Sequence, residues 1–166
     1  MHVDDDLRAA LHRFDEAGGL ERPTGYDHAA VRTAFNALVA RLDTEFETTC
    51  RADREIEDAS LHGRIEIPVE ALDGPAQLVV SVSNFGSMAV VSAENPGAYL
   101  DLTEALTDGA VDRQDLHALQ RILAELGYLE IPEELLTRPY DGIGELAAHY
   151  PPDAPPDWWI RFFDYL

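Results

Sequence analysis

The chain has 166 residues, 46% of them apolar, and carries 32 acidic against 12 basic residues for a formal charge of −20, every basic residue being an arginine. That length and apolar content predict a single domain over residues 1–166 with one sizeable core, and they exclude both disorder and, with no apolar run of about 18 residues, a membrane-spanning helix. So acidic a field repels nucleic acid and anionic lipid and attracts cations and basic proteins, so neither a nucleic acid nor a membrane is expected as a partner.

The start, from Met1 to Asp6, has no basic segment followed by an apolar one, so no secretion signal is read there. A lone cysteine, Cys50, can form no internal disulfide. Both observations fit a cytoplasmic protein.

In chain order, Asp4 to Ala17 reads as a helix, with Leu7, Leu11 and Phe14 at i, i+4 and i+7 and aspartates at its positive N-terminus. Gly18-Gly19 stops it. A second helix is capped by Asp27 and carries Val31, Phe35, Leu38, Leu42 and Phe46 at helical spacing; that period can be carried on to Cys50, whereas Phe46, Thr48 and Cys50 also alternate and Thr48-Thr49 are β-branched, and the end is placed at about Glu45. From Cys50 to Ser60 a strand and a charged turn are expected, with Cys50 as a buried structural thiol.

The central stretch, Ala59 to Ser92, predicts three antiparallel strands at Ser60–Ile67, Ala76–Ser83 and Ser87–Ser92. In the first, Leu61, Ile65 and Ile67 are expected on one face and His62, Arg64 and Glu66 on the other. The other two are more uniformly apolar and suit strands covered on both faces. Asn84 and Gly86 between them reach positive φ cheaply, which predicts a tight hairpin.

Asn95 to Ala110 reads as a loop with one helical turn. A helix follows from the Asp112 cap, with Leu116, Leu119, Leu123 and Leu126 on one face and Gly127 closing it. Tyr128 to Pro132 is a short strand, Glu133 to Leu136 a helical turn started by Pro132, and Gly144 to Tyr150 a short helix. The end, Trp158 to Leu166, is too aromatic for a free tail and is expected to dock as a strand or form an interface. The fold expected is therefore α+β: a mainly antiparallel sheet of about five strands, the Asp27 and Asp112 helices packed on one face and the N-terminal helix peripheral.

Motifs that carry chemistry are few. The sequence contains no P-loop, dinucleotide-binding glycine pattern, H-E-x-x-H, C-x-x-C or G-x-S-x-G. The six histidines are scattered, none paired at i, i+4. No catalytic residue, metal site or cofactor is expected. What does accumulate is acid: between Arg64 and Arg113 no basic residue occurs, while Glu66, Glu70, Asp73, Glu94, Asp101, Glu104, Asp108 and Asp112 do. The binding residues this suggests are Glu66, Glu70, Glu94 and Asp101 with the turn Asn84, Phe85 and Gly86, facing a basic protein. Oligomeric state is left open.

With Ser83-Asn84-Phe85-Gly86, Pro139-Tyr140-Asp141-Gly142 and the Trp158 to Leu166 terminus in place, the layout resembles the small acidic single-domain proteins of GC-rich bacteria, among them immunity proteins that neutralise polymorphic toxins. The resemblance implies a cytoplasmic α+β protein that occludes a basic toxin domain by charge and shape. It supplies no catalytic residues. Two other classes stay open: an enzyme with dispersed residues around His62 or His149, and a protein whose acidity reflects halophilic or genomic adaptation.

Overall fold

The computed structural model describes residues 2–56 and 59–164, with the backbone alone for residues 2 and 3. Met1, in the segment where no secretion signal is expected, residues 57 and 58, within the strand and charged turn expected from Cys50 to Ser60, and residues 165 and 166, at the end of the aromatic terminus, lie outside the described residues. The architecture is α+β, a mixed and mostly antiparallel five-stranded sheet in the order β1-β2-β3-β4-β5. The strands are β1 (Arg51–Asp53), β2 (Leu61–Ile67), β3 (Leu78–Ser83), β4 (Met88–Ala93) and β5 (Leu129–Glu130). The helices are α1 (His2–Phe14), α2 (His28–Glu45), α3 (Leu102–Thr107), α4 (Arg113–Glu125) and the single turn α5 (Glu133–Leu136). No described helix is long and apolar enough to cross a membrane.

β1 to β4 form an antiparallel meander, and β5 alone runs parallel to its neighbour, Met88 facing Leu129 and Ala89 facing Glu130. A parallel pair needs a crossover. Here α3 and α4 supply it. Asp101 and Asp112 cap these two helices, accepting from the N–H groups of Glu104 for α3 and of Gln114 and Asp115 for α4. The stretch expected to hold one helical turn is therefore a six-residue helix, held open at its start by Glu104, which accepts from Leu100 N–H at 2.6 Å.

β3 and β4 are buried at every position, so both faces of the sheet are covered. On one face Val80, Val82, Ala89 and Val91 meet Phe35, Leu38 and Leu42 of α2 and Leu116, Leu119 and Leu123 of α4. The two helices are tied side by side by Arg41–Glu125 at 2.6 Å and Arg121–Glu45 at 2.7 Å. Cys50 is buried in this core, its thiol pushed up to about 12 by burial and by Asp43, which makes it an inert packing residue.

On the other face Phe85, Met88 and Val90 meet Leu11 of the flanking α1, Leu135 and Leu136 of α5, and Trp158, Phe162 and Phe163. The C-terminus docks as expected but as a π-helix, Ile160–Asp164, in place of a strand. A strand would turn every second side chain outward, whereas here Arg161, Phe162 and Phe163 are all inside. The carbonyls of Ile160 and Phe162 accept from Ser60 Oγ at 3.3 Å and Ser83 Oγ at 2.6 Å, so the sheet's own hydroxyls hold the wide turn.

Two elements depart locally from the expected pattern. Helix α1 ends at Phe14, because Asp15 turns inward to pair with Arg161 at 2.7 Å. In β2 the register shifts between Leu61 and Gly63, so Leu61 packs on the second face while Ile65 and Ile67 pack on the first. The expected alternation breaks at that bulge, and His62, expected on the wet face, is buried. The β3–β4 hairpin turns at Gly86 and Ser87, with φ of 58° and 52°. A Cβ on Gly86 would also lie 2.6 Å from the Phe14 ring.

Candidate functional site

The short β5 is what makes a site. Its pairing covers β4 only as far as Ala89, and the chain then leaves the sheet at Pro132 to form α5. A groove of about 300 Å³ remains beside Val91, Ser92 and Ala93, closed by the loop through Asn95 and Tyr99, the start of α3, Gln120 of α4, the first turn of α5 and Leu7 of α1.

Four carboxylates line it: Asp101, Glu130, Glu133 and Glu134. Among the described residues no basic side chain does. Glu133 is fully engaged in structure, accepting from Ser92 Oγ at 2.6 Å and from Gly97 N–H at 2.9 Å, and so fastens α5 to β4 and to the loop that follows it. Asp101 uses one oxygen to cap α3 at 2.8 Å. Glu130 accepts from Gln120 Nε2 at 3.1 Å. Burial raises Glu130 above the usual carboxylate range, with Glu134 adding to the rise and the Gln120 bond opposing it. Glu134 is raised as well, by burial and then by the neighbouring charges of Asp101, Asp4 and Glu133. These are negative charges gathered without a counter-charge next to apolar walls, Asp101, Glu130 and Glu133 partly buried and Glu134 exposed.

Of the residues picked out from sequence, Asp101 lines this groove and Glu94 adjoins it, between Ala93 and Asn95. Glu66 lies toward the same end of the sheet, opposite Val79, but Arg64 at 3.4 Å and Arg51 at 3.9 Å partly neutralise it. Glu70 is exposed on the 3₁₀ turn Val69–Ala71 beyond β2. The turn Asn84 to Gly86 sits at the far end of β4, roughly 17 Å away by strand rise. There Phe85 is wholly buried against Phe162 and Arg161, and Asn84 is 8% exposed, so the two serve the core. Glu130, Glu134 and Gln120 were missed, because only the β4–β5 crossover brings them to Asp101.

His62 forms a second polar cluster. The Asn84 side-chain amide donates to the carbonyls of Glu21 at 3.0 Å and Ala59 at 3.1 Å, which turns its Oδ1 toward Tyr26 Oη at 3.1 Å and His62 Nδ1 at 3.2 Å. His62 Nδ1 must then carry the proton, leaving Nε2 a bare acceptor, buried and without a partner among the described residues. Burial, and after it the charge of Arg32, lowers its pKa to about 4 against the pull of the Asn84 bond. A base that far below neutrality is a poor proton acceptor at physiological pH. His149, the other histidine weighed from sequence, is exposed on the 3₁₀ turn Leu146–His149, away from this cluster.

The lowered pKa makes a prediction about stability. Between pH 6.5 and 4 the unfolded chain binds a proton at His62 that the folded one refuses, so stability falls as pH drops through that window, by on the order of 3 kcal/mol in all. The raised carboxylates Glu130 and Glu134 act in the opposite sense, gaining stability as pH falls. Urea unfolding of the wild type and His62→Gln at pH 7 and pH 4.5 isolates the histidine: the variant should lose about 2 kcal/mol less than the wild type. Parallel losses in the two proteins would place His62 in a solvated setting.

For a metal, the described residues bring together only Asp73, Asp112 and Asp115, with ligand atoms within 4.8 Å of one another. Oxygen ligands of this kind suit calcium or magnesium. Yet Asp112 caps α4 and Asp115 accepts from Asp73 N–H at 2.7 Å, so the cluster is accounted for as the start of a helix.

Compared with known protein families, with curated proteins and with solved structures, the chain matches none.

Proposed function

We propose that this is a non-enzymatic acidic binding protein that engages a cationic protein partner in the cytoplasm, in the manner of an immunity protein occluding a basic toxin domain. The observation that carries the reading is the groove at the open part of β4, where Asp101, Glu130 and Glu134 meet with no basic residue among the groove's described lining. Glu94 and Glu70 extend the acidic field toward the same end of the sheet, and the overall charge of −20 adds long-range attraction for a basic partner. Near that groove the polypeptide is held firmly, by the Glu133 clasp and two capped helices, as suits a preformed binding surface.

The test is capture of partners from the source cells, followed by association kinetics with any purified basic protein recovered. Raising ionic strength from about 0.05 to about 0.5 M should lower the association rate by tenfold or more while changing dissociation far less. An association rate insensitive to salt, or a set of partners with no basic member, would remove the reading.

A further inference from the structure

Resting on that reading, we infer that the groove beside Val91–Ala93 receives the side chain of a single arginine presented by the partner protein. Three features point there. Carboxylates reach the groove from three elements, Asp101 at the start of α3, Glu130 at the end of β5 and Glu134 on α5, so more than one acceptor is available to a single cation there. A planar guanidinium with five donors can serve several carboxylates at once, where an ammonium acts as a point charge.

The walls supply the second feature. Leu7, Val91 and Leu102 line the same space as the acids, which fits an alkyl stem ending in a cation and suits a hard metal ion poorly, since such an ion wants oxygen ligands all round. A volume of about 300 Å³ accommodates a long side chain and exceeds what one ion needs.

The third feature lies at the rim. Leu100, next to the lining residues Tyr99 and Asp101, is 79% exposed, the most exposed of the large apolar side chains described. It offers an apolar contact beside the groove for residues that flank an inserted arginine, which a free amino acid lacks. Burial and crowding hold Glu130 and Glu134 above the usual carboxylate range, and a cation between them would relieve both.

The experiment titrates the full chain with three five-residue peptides, acetylated and amidated, each with four alanines around a central arginine, lysine or citrulline, followed by amide chemical shifts. The arginine peptide should move the signals of Ser92, Tyr99, Gln120 and Glu130. The neutral, equally shaped citrulline peptide should not, and lysine should bind at least about threefold more weakly. Glu130→Gln with Glu134→Gln, which keeps size and removes charge, should weaken the arginine peptide about tenfold or more. Equal responses to arginine and citrulline, lysine matching arginine, or shifts confined to other acidic regions such as Asp4 to Asp6 would overturn the assignment. The two claims fail separately. A basic partner whose binding ignores the Glu130, Glu134 double variant overturns the groove and keeps the general reading, whereas arginine-specific shifts at the groove without any basic partner do the reverse.

Discussion

A chain lacking residues 157–166 should not reach a folded monomer at 25 °C. Trp158, Phe162 and Phe163 are each at most 3% exposed, and together they close the second face of the sheet over Phe85, Met88 and Val90. Their burial contributes on the order of 5 kcal/mol or more, comparable to the whole net stability of a domain. The deletion also takes Arg161, leaving Asp15 buried without its cation, and removes the carbonyls that satisfy Ser60 and Ser83. Circular dichroism and size-exclusion chromatography of the truncated chain provide the check. A monomer with an unchanged melting temperature would mean that the terminus lies on the surface and that Phe85 is covered by something else.

The second large effect is expected at Asp15. Its carboxylate takes Arg161 Nε at 2.7 Å on one oxygen, and Tyr140 Oη at 2.7 Å and Ile143 N–H at 2.8 Å on the other, so two distant segments converge on one residue. Arg161, wholly buried, has its charge balanced there, with further bonds to the carbonyls of Gly19 and Leu20 and its guanidinium 4.5 Å from the centre of the Phe85 ring. Removing one member of a buried pair strands the other. Asp15→Ala should therefore cost about 3–5 kcal/mol and lower the melting temperature by about 10 °C or more. Replacing both, Asp15→Asn with Arg161→Met, should recover part of that loss, since no charge is then left buried. An Asp15→Ala protein within about 1 kcal/mol of the wild type would show the pair to be solvated.

Much of this fold was legible because its periods are strong. The helical spacing of Phe35, Leu38 and Leu42 and the Asp27 cap pointed to α2 and its start, its end at Glu45 was legible only in the alternation of Phe46, Thr48 and Cys50, and the uniformly apolar β3 and β4 pointed to a sheet covered on both faces. Where reading failed, a local signal was overridden. Leu61 fits the alternation of Ile65 and Ile67, and only Gly63 hinted at the bulge that separates them, a glycine inside a strand being a frequent mark of one. A Cβ there would lie 2.6 Å from the Phe35 ring, so the glycine is required by packing as well.

The C-terminal segment carried a helical signal too. Trp158 and Phe162, and Trp159 and Phe163, are spaced i, i+4 and stack at 5.6 and 5.2 Å. Aromatic density suggested a strand; that spacing decides for a helix. For the groove, Asp101 was found because it lies in the base-free span, whereas Glu130 and Glu134 look in sequence like two of many carboxylates. What unites them is a parallel crossover and the early end of β5, neither of which a one-dimensional charge pattern contains. At the turn Asn84 to Gly86 the expected hairpin is present, with Gly86 exposed at a positive φ, while Phe85 packs on the docked C-terminus and Asn84 is held by Tyr26 and His62.

Acid at the groove, more than acid in general, should draw the partner in. The direct measurement is the association rate of a purified basic partner with two charge-reversed proteins, Glu94→Lys with Glu134→Lys beside the groove, and Glu145→Lys with Asp153→Lys, exposed acids on the loops that follow α5. Both change the net charge equally. The groove pair should slow association several times more than the distant pair at about 0.05 M salt, with the difference shrinking as salt is raised. Equal slowing by the two pairs would make the acidity a uniform background and contradict the assignment of the binding surface.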